Sequence, residues 1–151
     1  MARFRYTLQS VLDIKMKMET QRKQEFSAAK NQLDEEEKRL DALIHQKDQY
    51  EVEAKKLRMG ALHILDIREN REAIRQMDEM IAQQKKNVEI AAENLNDARE
   101  KLVQVTKERK TYESLREKAF EEFLQEENRQ ESKAVDELTS YTYGQKRQVK
   151  G

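Results

Sequence analysis

The chain has 151 residues, 40% of them charged, with no Pro, no Cys, no Trp and only three Gly. This composition excludes a disulfide framework and argues against a globular core; with a sustained heptad pattern it falls in the long-helix class. Thirty basic and thirty acidic residues cancel to a formal net charge of zero, so the cationic surplus that phosphate binding requires is missing and nucleic acid is not an expected partner.

The chain opens on Phe4-Arg5-Tyr6-Thr7-Leu8-Gln9-Ser10-Val11-Leu12. Thr7 suits an N-cap, with Tyr6 and Val11 placed as a hydrophobic staple, so helix one is expected to start near residue 8 and run to about residue 59. Its apolar sites alternate at steps of three and four through Leu8, Leu12, Phe26, Ala29, Leu33, Leu40, Leu43, Tyr50, Ala54 and Leu57. Between Leu12 and Phe26 the same positions hold Lys15, Glu19 and Arg22. That polar stretch is expected to be the weakest part of the helix pair, or one that another protein completes.

Gly60 stands where the apolar phase breaks, as expected just past a helix C-terminus, and Lys55, Lys56 and Arg58 suit the last turn's dipole. A turn over about 60–66 follows. Leu62, Ile64, Leu65 and Ile67 make it too apolar for a solvated loop, so it caps the tip or offers a patch to a partner. Asp66 and Glu69 form a capping pair for helix two, expected over about 67–140. From Ile74 to Phe123 the step of three and four returns, with twelve of fifteen sites apolar. A strict 3.5-residue period marks the narrow seam of a coiled coil, and regularity over so long a stretch argues against disorder. Residues 141–151, with Gly144 and basic Lys146, Arg147 and Lys150, are expected to form a flexible basic tail.

The expected fold is all-α: two long helices folded back as an antiparallel coiled-coil hairpin over residues 1–140. Placing Leu57 opposite Ile74 fixes a register in which facing residues have numbers summing to 131. Lys47 then faces Gln84, Arg22 faces Arg109 and Lys15 faces Arg116, while Glu36 opposite Leu95 and Glu19 opposite Tyr112 are mismatches.

The search for chemistry is short. His45 and His63 stand alone, with no histidine at i+4 and no cysteine, so neither a metal site nor a cofactor is expected. The glycines are isolated, which rules out a phosphate loop, and the run Asp34-Glu35-Glu36-Glu37 reads as a solvated helix face. With no pocket to tune a carboxylate, no catalytic residue is assigned and the chain is not expected to be an enzyme. No apolar run approaches a membrane span and no signal-peptide core follows Met1, so direct membrane insertion is not expected. The lack of cysteine suits a cytoplasmic address. Charge is unevenly placed: residues 1–30 carry seven basic and three acidic side chains, residues 117–137 eight acidic and three basic. This complementarity helps set an antiparallel pairing.

The opening Phe4-x-Tyr6-x-Leu8-x-x-Val11-Leu12, the long charged helix after it, and Glu131-Ser132-Lys133-Ala134-Val135-Asp136-Glu137-Leu138 before a basic tail resemble the flagellar FliJ family, coiled-coil components of the type III export apparatus. The resemblance spans nearly the whole chain. It implies a non-enzymatic stalk or escort protein whose termini-bearing end inserts in and stimulates the hexameric export ATPase FliI. It also implies links to the export-gate protein FlhA and to flagellar export chaperones, at the inner face of the cell membrane. Arg3, Arg5, Lys15, Lys17 and Lys23 are candidates for the ATPase-facing end, or are simply solvated. Gate contact in the family goes with the tip half, which makes Tyr50, Leu62, Ile64, Ile74, Met77 and Ile81 candidates there. Leu43-Ile44 followed by Tyr50 looks like the family pattern, whereas Ala73 stands where the family has an aromatic. Tyr50, Ile74, Met77 and Ile81 are also seam positions, with packing as their default role. The alternative function is a generic coiled-coil scaffold or dimerisation rod with unrelated partners.

Overall fold

The structure, a computed structural model, describes residues 2–150 and the side chains of residues 2–145. Two helices, α1 (Gln9–Leu57) and α2 (Ile64–Lys150), make an all-α antiparallel hairpin with no strand among the described residues. Long uninterrupted helices follow from a chain without Pro, rich in Glu, Lys, Arg, Gln and Ala. Ion pairs one turn apart support them, as where Arg75 bridges Glu72 and Glu79 and where Arg129 meets Glu126 at 2.8 Å.

The helix limits differ modestly from those expected. At the start, Gln9 N–H donates to Tyr6 C=O at 3.1 Å and Leu12 N–H to Leu8 C=O at 3.0 Å, so a tight turn leads into α1. At the far end α1 stops at Leu57, and Met59 N–H closes on Lys56 C=O at 3.1 Å. Gly60 takes φ 78°, the left-handed region that a side chain would strain. Helix α2 then begins at Ile64 rather than 67, with Ile67 N–H donating to His63 C=O at 3.1 Å and Asp66 in the first turn, where its charge suits the dipole. It also continues past residue 140 to Lys150, through most of the expected tail. One glycine at 144 does not end it, and Gln145 Nε2 donating to Tyr141 Oη at 2.7 Å spans that position. Gly151 and the side chains of Lys146, Arg147 and Lys150 lie outside the described residues.

The hairpin divides into two compact units, Thr20–Gln104 and Met1–Glu19 with Val105–Gly151. The division falls where the α1 seam is polar and apolar contact is scarce.

In the unit Thr20–Gln104, Met77, Ile81 and Ala91 are buried, and Leu33, Leu40, Leu43, Val88 and Leu95 are half-buried. Three polar residues, Glu36, Asn70 and Gln84, are buried with them. Gln84 Nε2 donates to Glu36 C=O at 2.9 Å and also to the Glu36 carboxylate, which Gln32 and Arg39 reach at 2.9 Å. Nearer the tip, buried Asn70 donates through Nδ2 to Tyr50 C=O at 3.0 Å. Lys47 reaches Asp78 at 2.6 Å, and the Arg99 guanidinium lies 5.9 Å from the Phe26 ring centroid.

These contacts correct the expected register. The partners' numbers sum to 120 for Glu36 with Gln84 and for Tyr50 with Asn70, and to 125 for Lys47 with Asp78 and Phe26 with Arg99. These sums fall on either side of 124, the alignment one heptad below 131 in which seam sites again face one another. The turn is shorter than expected, so Ile67 and Asn70 supply one more seam heptad before Ile74. Gln84 meets Glu36 in place of Lys47.

The unit holding the termini keeps the same register. Leu12 and Val105 are its buried apolar pair. Glu19 accepts from Arg109 Nε at 2.7 Å, so Arg109 meets a carboxylate rather than Arg22. Lys15 reaches Glu108 at 2.8 Å instead of facing Arg116, whose Nε donates to Gln9 at 2.9 Å. Ahead of α1 the non-helical segment lies across α2. The Phe4 ring packs edge-on against Phe120 at 5.1 Å and against Phe123 at 5.5 Å, and Tyr6 Oη donates to Tyr112 C=O at 3.0 Å.

Two outcomes test this pairing. Cysteines replacing Leu33 and Ala91 crosslink within one chain, while the pair replacing Leu33 and Ala98 does not; the reverse pattern on non-reducing gels would restore the 131 register. Replacing Gln84 by Ala takes one donor from a carbonyl and from a buried carboxylate, which keeps Gln32 and Arg39, and costs about 1–3 kcal/mol in denaturant unfolding. Leu at both Glu36 and Gln84 costs less than that single change, since no buried charge is then left short of a donor.

Candidate interaction surfaces

The residues that could serve a function here are surface side chains, for the arrangement offers little else. No group of three or more His, Cys, Asp or Glu among the described residues could hold a metal ion. Shallow surface depressions lie along single helices, as between His45 and Lys56 on α1 or between Lys110 and Glu121 on α2, and in the groove between the helices, where Gln32 and Glu36 meet Asn87 and Ala91. Such open faces do not desolvate an acid or base. What the geometry supplies is two ends of different character.

At the termini end, Arg3 and Arg5 project from the non-helical segment and Lys17 from α1, all three exposed. Lys15 differs: it is half-buried and its ammonium is held by Glu108, a hydrogen bond that raises its pKa above the ordinary lysine value. It is thus part of the hairpin's own pairing. Lys23 is exposed but belongs to the other unit. Beside the basic side chains, Arg109 is bound by Glu19 and then by Glu113, both of which raise its pKa. Beyond Phe123, α2 runs on to Lys150 past the last contact with the Phe4 segment. That extension, about 40 Å at 1.5 Å per residue, exposes Leu124, Val135, Leu138 and Tyr141.

At the tip, the six candidates separate by burial. Leu62 and Ile64 are 62% and 68% exposed, and Met59 and Leu65 beside them in the turn and first helical residues are exposed as well. Met77 and Ile81 are buried in the seam, and Tyr50 and Ile74 are half-buried there. These four pack in the seam between α1 and α2. The periodicity carried both answers, since the four are at steps of three and four and Leu62 and Ile64 are not. It was silent on Met59, which reads as an ordinary helical residue. The buried polar residues Glu36, Gln84 and Asn70 also had a sequence signal, namely polar side chains at seam spacing.

The Lys47–Asp78 pair gives a pH test. The hydrogen bond to Asp78 raises the Lys47 pKa above 10.5. A raised lysine contributes stability in full below its unfolded value and loses it as pH rises through the folded one. Lys47→Met therefore lowers the thermal midpoint at pH 8, and the gap from the parent narrows as pH rises through the folded pKa of Lys47. A gap that is unchanged on that climb would mean that Lys47 acts through its alkyl stem alone.

Comparison with known proteins agrees with this architecture. No curated protein matches the chain. Among solved structures it is similar to CT670 of Chlamydia trachomatis, described as a YscO homolog, with a TM-score of 0.77 and 22% sequence identity over 97% of this chain and 99% of that one. At that identity the likeness is one of fold. The family model described as Flagellar FliJ protein matches residues 4–148, which takes in the Phe4–Leu12 opening, both helices and the Glu131–Leu138 stretch. The chain belongs to the flagellar FliJ protein family.

Proposed function

We propose that this component of a type III export apparatus is a stalk without chemistry of its own. Its termini-bearing end enters and stimulates the hexameric export ATPase FliI, and its tip-side unit links that ATPase to the export gate FlhA and to export chaperones. It works in the cytoplasm, at the inner face of the cell membrane. The observation that carries the reading is the extension of α2 beyond Phe123, a single helix with exposed apolar side chains whose root is flanked by exposed Arg3 and Arg5, with exposed Lys17 further along α1. A lone helix is about 10–12 Å across, slimmer than the helix pair, and surface cations at its base suit acidic loops at a pore rim.

The basic residues that bear on a partner are Arg3, Arg5 and Lys17 rather than Lys15, since Lys15 serves Glu108. Reversing those three to Glu is expected to cut stimulation of the cognate ATPase several-fold at low salt, with circular dichroism unchanged. The difference shrinks as ionic strength rises, because exposed charges are screened. Truncation after Phe123 is expected to abolish stimulation. ATPase rate against stalk concentration measures both. A parent chain that never stimulates its ATPase would leave a scaffold with unrelated partners as the better reading.

A further inference from the structure

Within the unit Thr20–Gln104, the hairpin tip combines two features that the contact with the ATPase does not use. The first is apolar. Met59, Leu62, Ile64 and Leu65 are 62–75% exposed, follow one another within seven residues, and surround the left-handed Gly60. Seam residues at this end, Leu57 and Ile67, already close the coiled coil, so the four are not needed to cover a core. Isolated exposed apolar residues are ordinary, but four on one turn form a patch.

The second feature is charge. Residues 55–71 hold Lys55, Lys56, Arg58, Arg68 and Arg71 against Asp66 and Glu69, an excess of three cations in a chain whose net charge is zero. All five are exposed, and among the described residues none of the five is held in an ion pair. Elsewhere in this unit several cations are matched, as Lys47 is by Asp78, Arg75 by Glu72 and Glu79, Arg22 by Glu25 and Arg39 by Glu36, and what sets the tip apart is its local excess of cations. Lys55 and Lys56 lie on the last turn of α1, Arg58 just past it, and Arg68 and Arg71 on the first turns of α2, so they flank the apolar side chains in the chain.

We infer that the hairpin tip docks on an anionic lipid bilayer, with Met59, Leu62, Ile64 and Leu65 in the headgroup layer and the five flanking cations on lipid phosphates. Apolar side chains at an apex with Lys and Arg set back from it match the layering of a bilayer surface, apolar within and anionic at the boundary. No helix among the described residues is long and apolar enough to cross a membrane, so the tip rests on the surface. Each cation close to an anionic surface strengthens attachment about fivefold, and the attraction falls away within a Debye length. Attachment is thus reversible and salt-sensitive. An acidic, apolar protein surface would satisfy the same side chains, but a protein partner would be recognised on protein-free vesicles not at all.

The test is co-sedimentation of the full chain with protein-free vesicles, one set of phosphatidylcholine alone and one with about 30% phosphatidylglycerol, on the expectation that anionic lipid supplies the attraction. The parent is expected to bind the anionic set at least tenfold more tightly than the neutral set, and to be released by about 0.5 M salt. Leu62→Ser with Ile64→Ser and Leu65→Ser, and separately Lys55→Gln with Lys56→Gln and Arg58→Gln, should each lose most of that binding. Intramolecular crosslinking through the Leu33 and Ala91 cysteines confirms that the variants remain hairpins. Equal binding to both vesicle sets, binding retained by either variant, or binding to neither set overturns the inference, and the last assigns the tip to a protein. The ATPase reading is untouched by any of these results, because it rests on the other unit.

Discussion

The rest of the structure depends on how little a coiled-coil seam can bury. Two helices touching along one stripe leave five hydrophobic residues buried among the described residues, Leu12, Met77, Ile81, Ala91 and Val105. Other apolar side chains at the seam, such as Leu33, Leu40, Leu43 and Leu95, are only partly buried. With so small an apolar contribution per layer, hydrophobic matching favours a hairpin but barely separates one alignment from the next, because a heptad pattern moved by seven residues still matches itself. Polar side chains in the seam make the choice. Gln84 reaches the Glu36 carboxylate, Arg109 reaches Glu19 and Asn70 reaches the Tyr50 carbonyl. A heptad away, Glu36 would lie against Leu95 and Arg109 against Arg22. Leaving buried polar groups without partners costs more than the partners gain when met, which is how such layers act chiefly by excluding wrong pairings.

This explains which parts of the fold could be read from residues and which could not. Periodicity gave two helices, their order and their antiparallel sense, since those follow from the stripe and the break at Gly60. It did not give the register, because the apolar sites are degenerate under a one-heptad shift and the turn was assumed too long. Yet the Arg22–Arg109 and Glu36–Leu95 juxtapositions were themselves signs of a wrong alignment. The end of α2 was misjudged for a different reason. Ser, Thr, Tyr and Gly from 139 to 144 lower helix propensity without forbidding a helix. For the surfaces, exposure of Leu62 and Ile64 and burial of Met77 and Ile81 both follow from seam spacing, whereas the diversion of Lys15 to Glu108 depends on a register that spacing left open.

Family membership and geometry constrain different things. The match over residues 4–148 places the chain in a flagellar export family. The geometry then distributes roles along it: an unpaired helix and exposed cations near the termini, an apolar apex flanked by basic residues at the turn, and a seam between them whose residues are occupied with each other. Tyr50, Ile74, Met77 and Ile81 belong to that last class. Substituting them would disturb pairing before it disturbed any partner, so a loss of function at those positions would say little about recognition.

The constant sum near 124 has a further consequence for how such a chain can change length over evolution. The mirror point of that sum is Leu62, within the turn. An insertion in one helix displaces every layer between it and the chain ends unless the other helix gains the same number of residues at the mirrored place. A heptad added beside Leu33 demands another beside Ala91. Additions at Gly60 or past Phe123 are exempt, since no layer lies beyond them to be displaced. Relatives of differing size are therefore expected to diverge by paired, heptad-long insertions, or at the apex and the C-terminal extension.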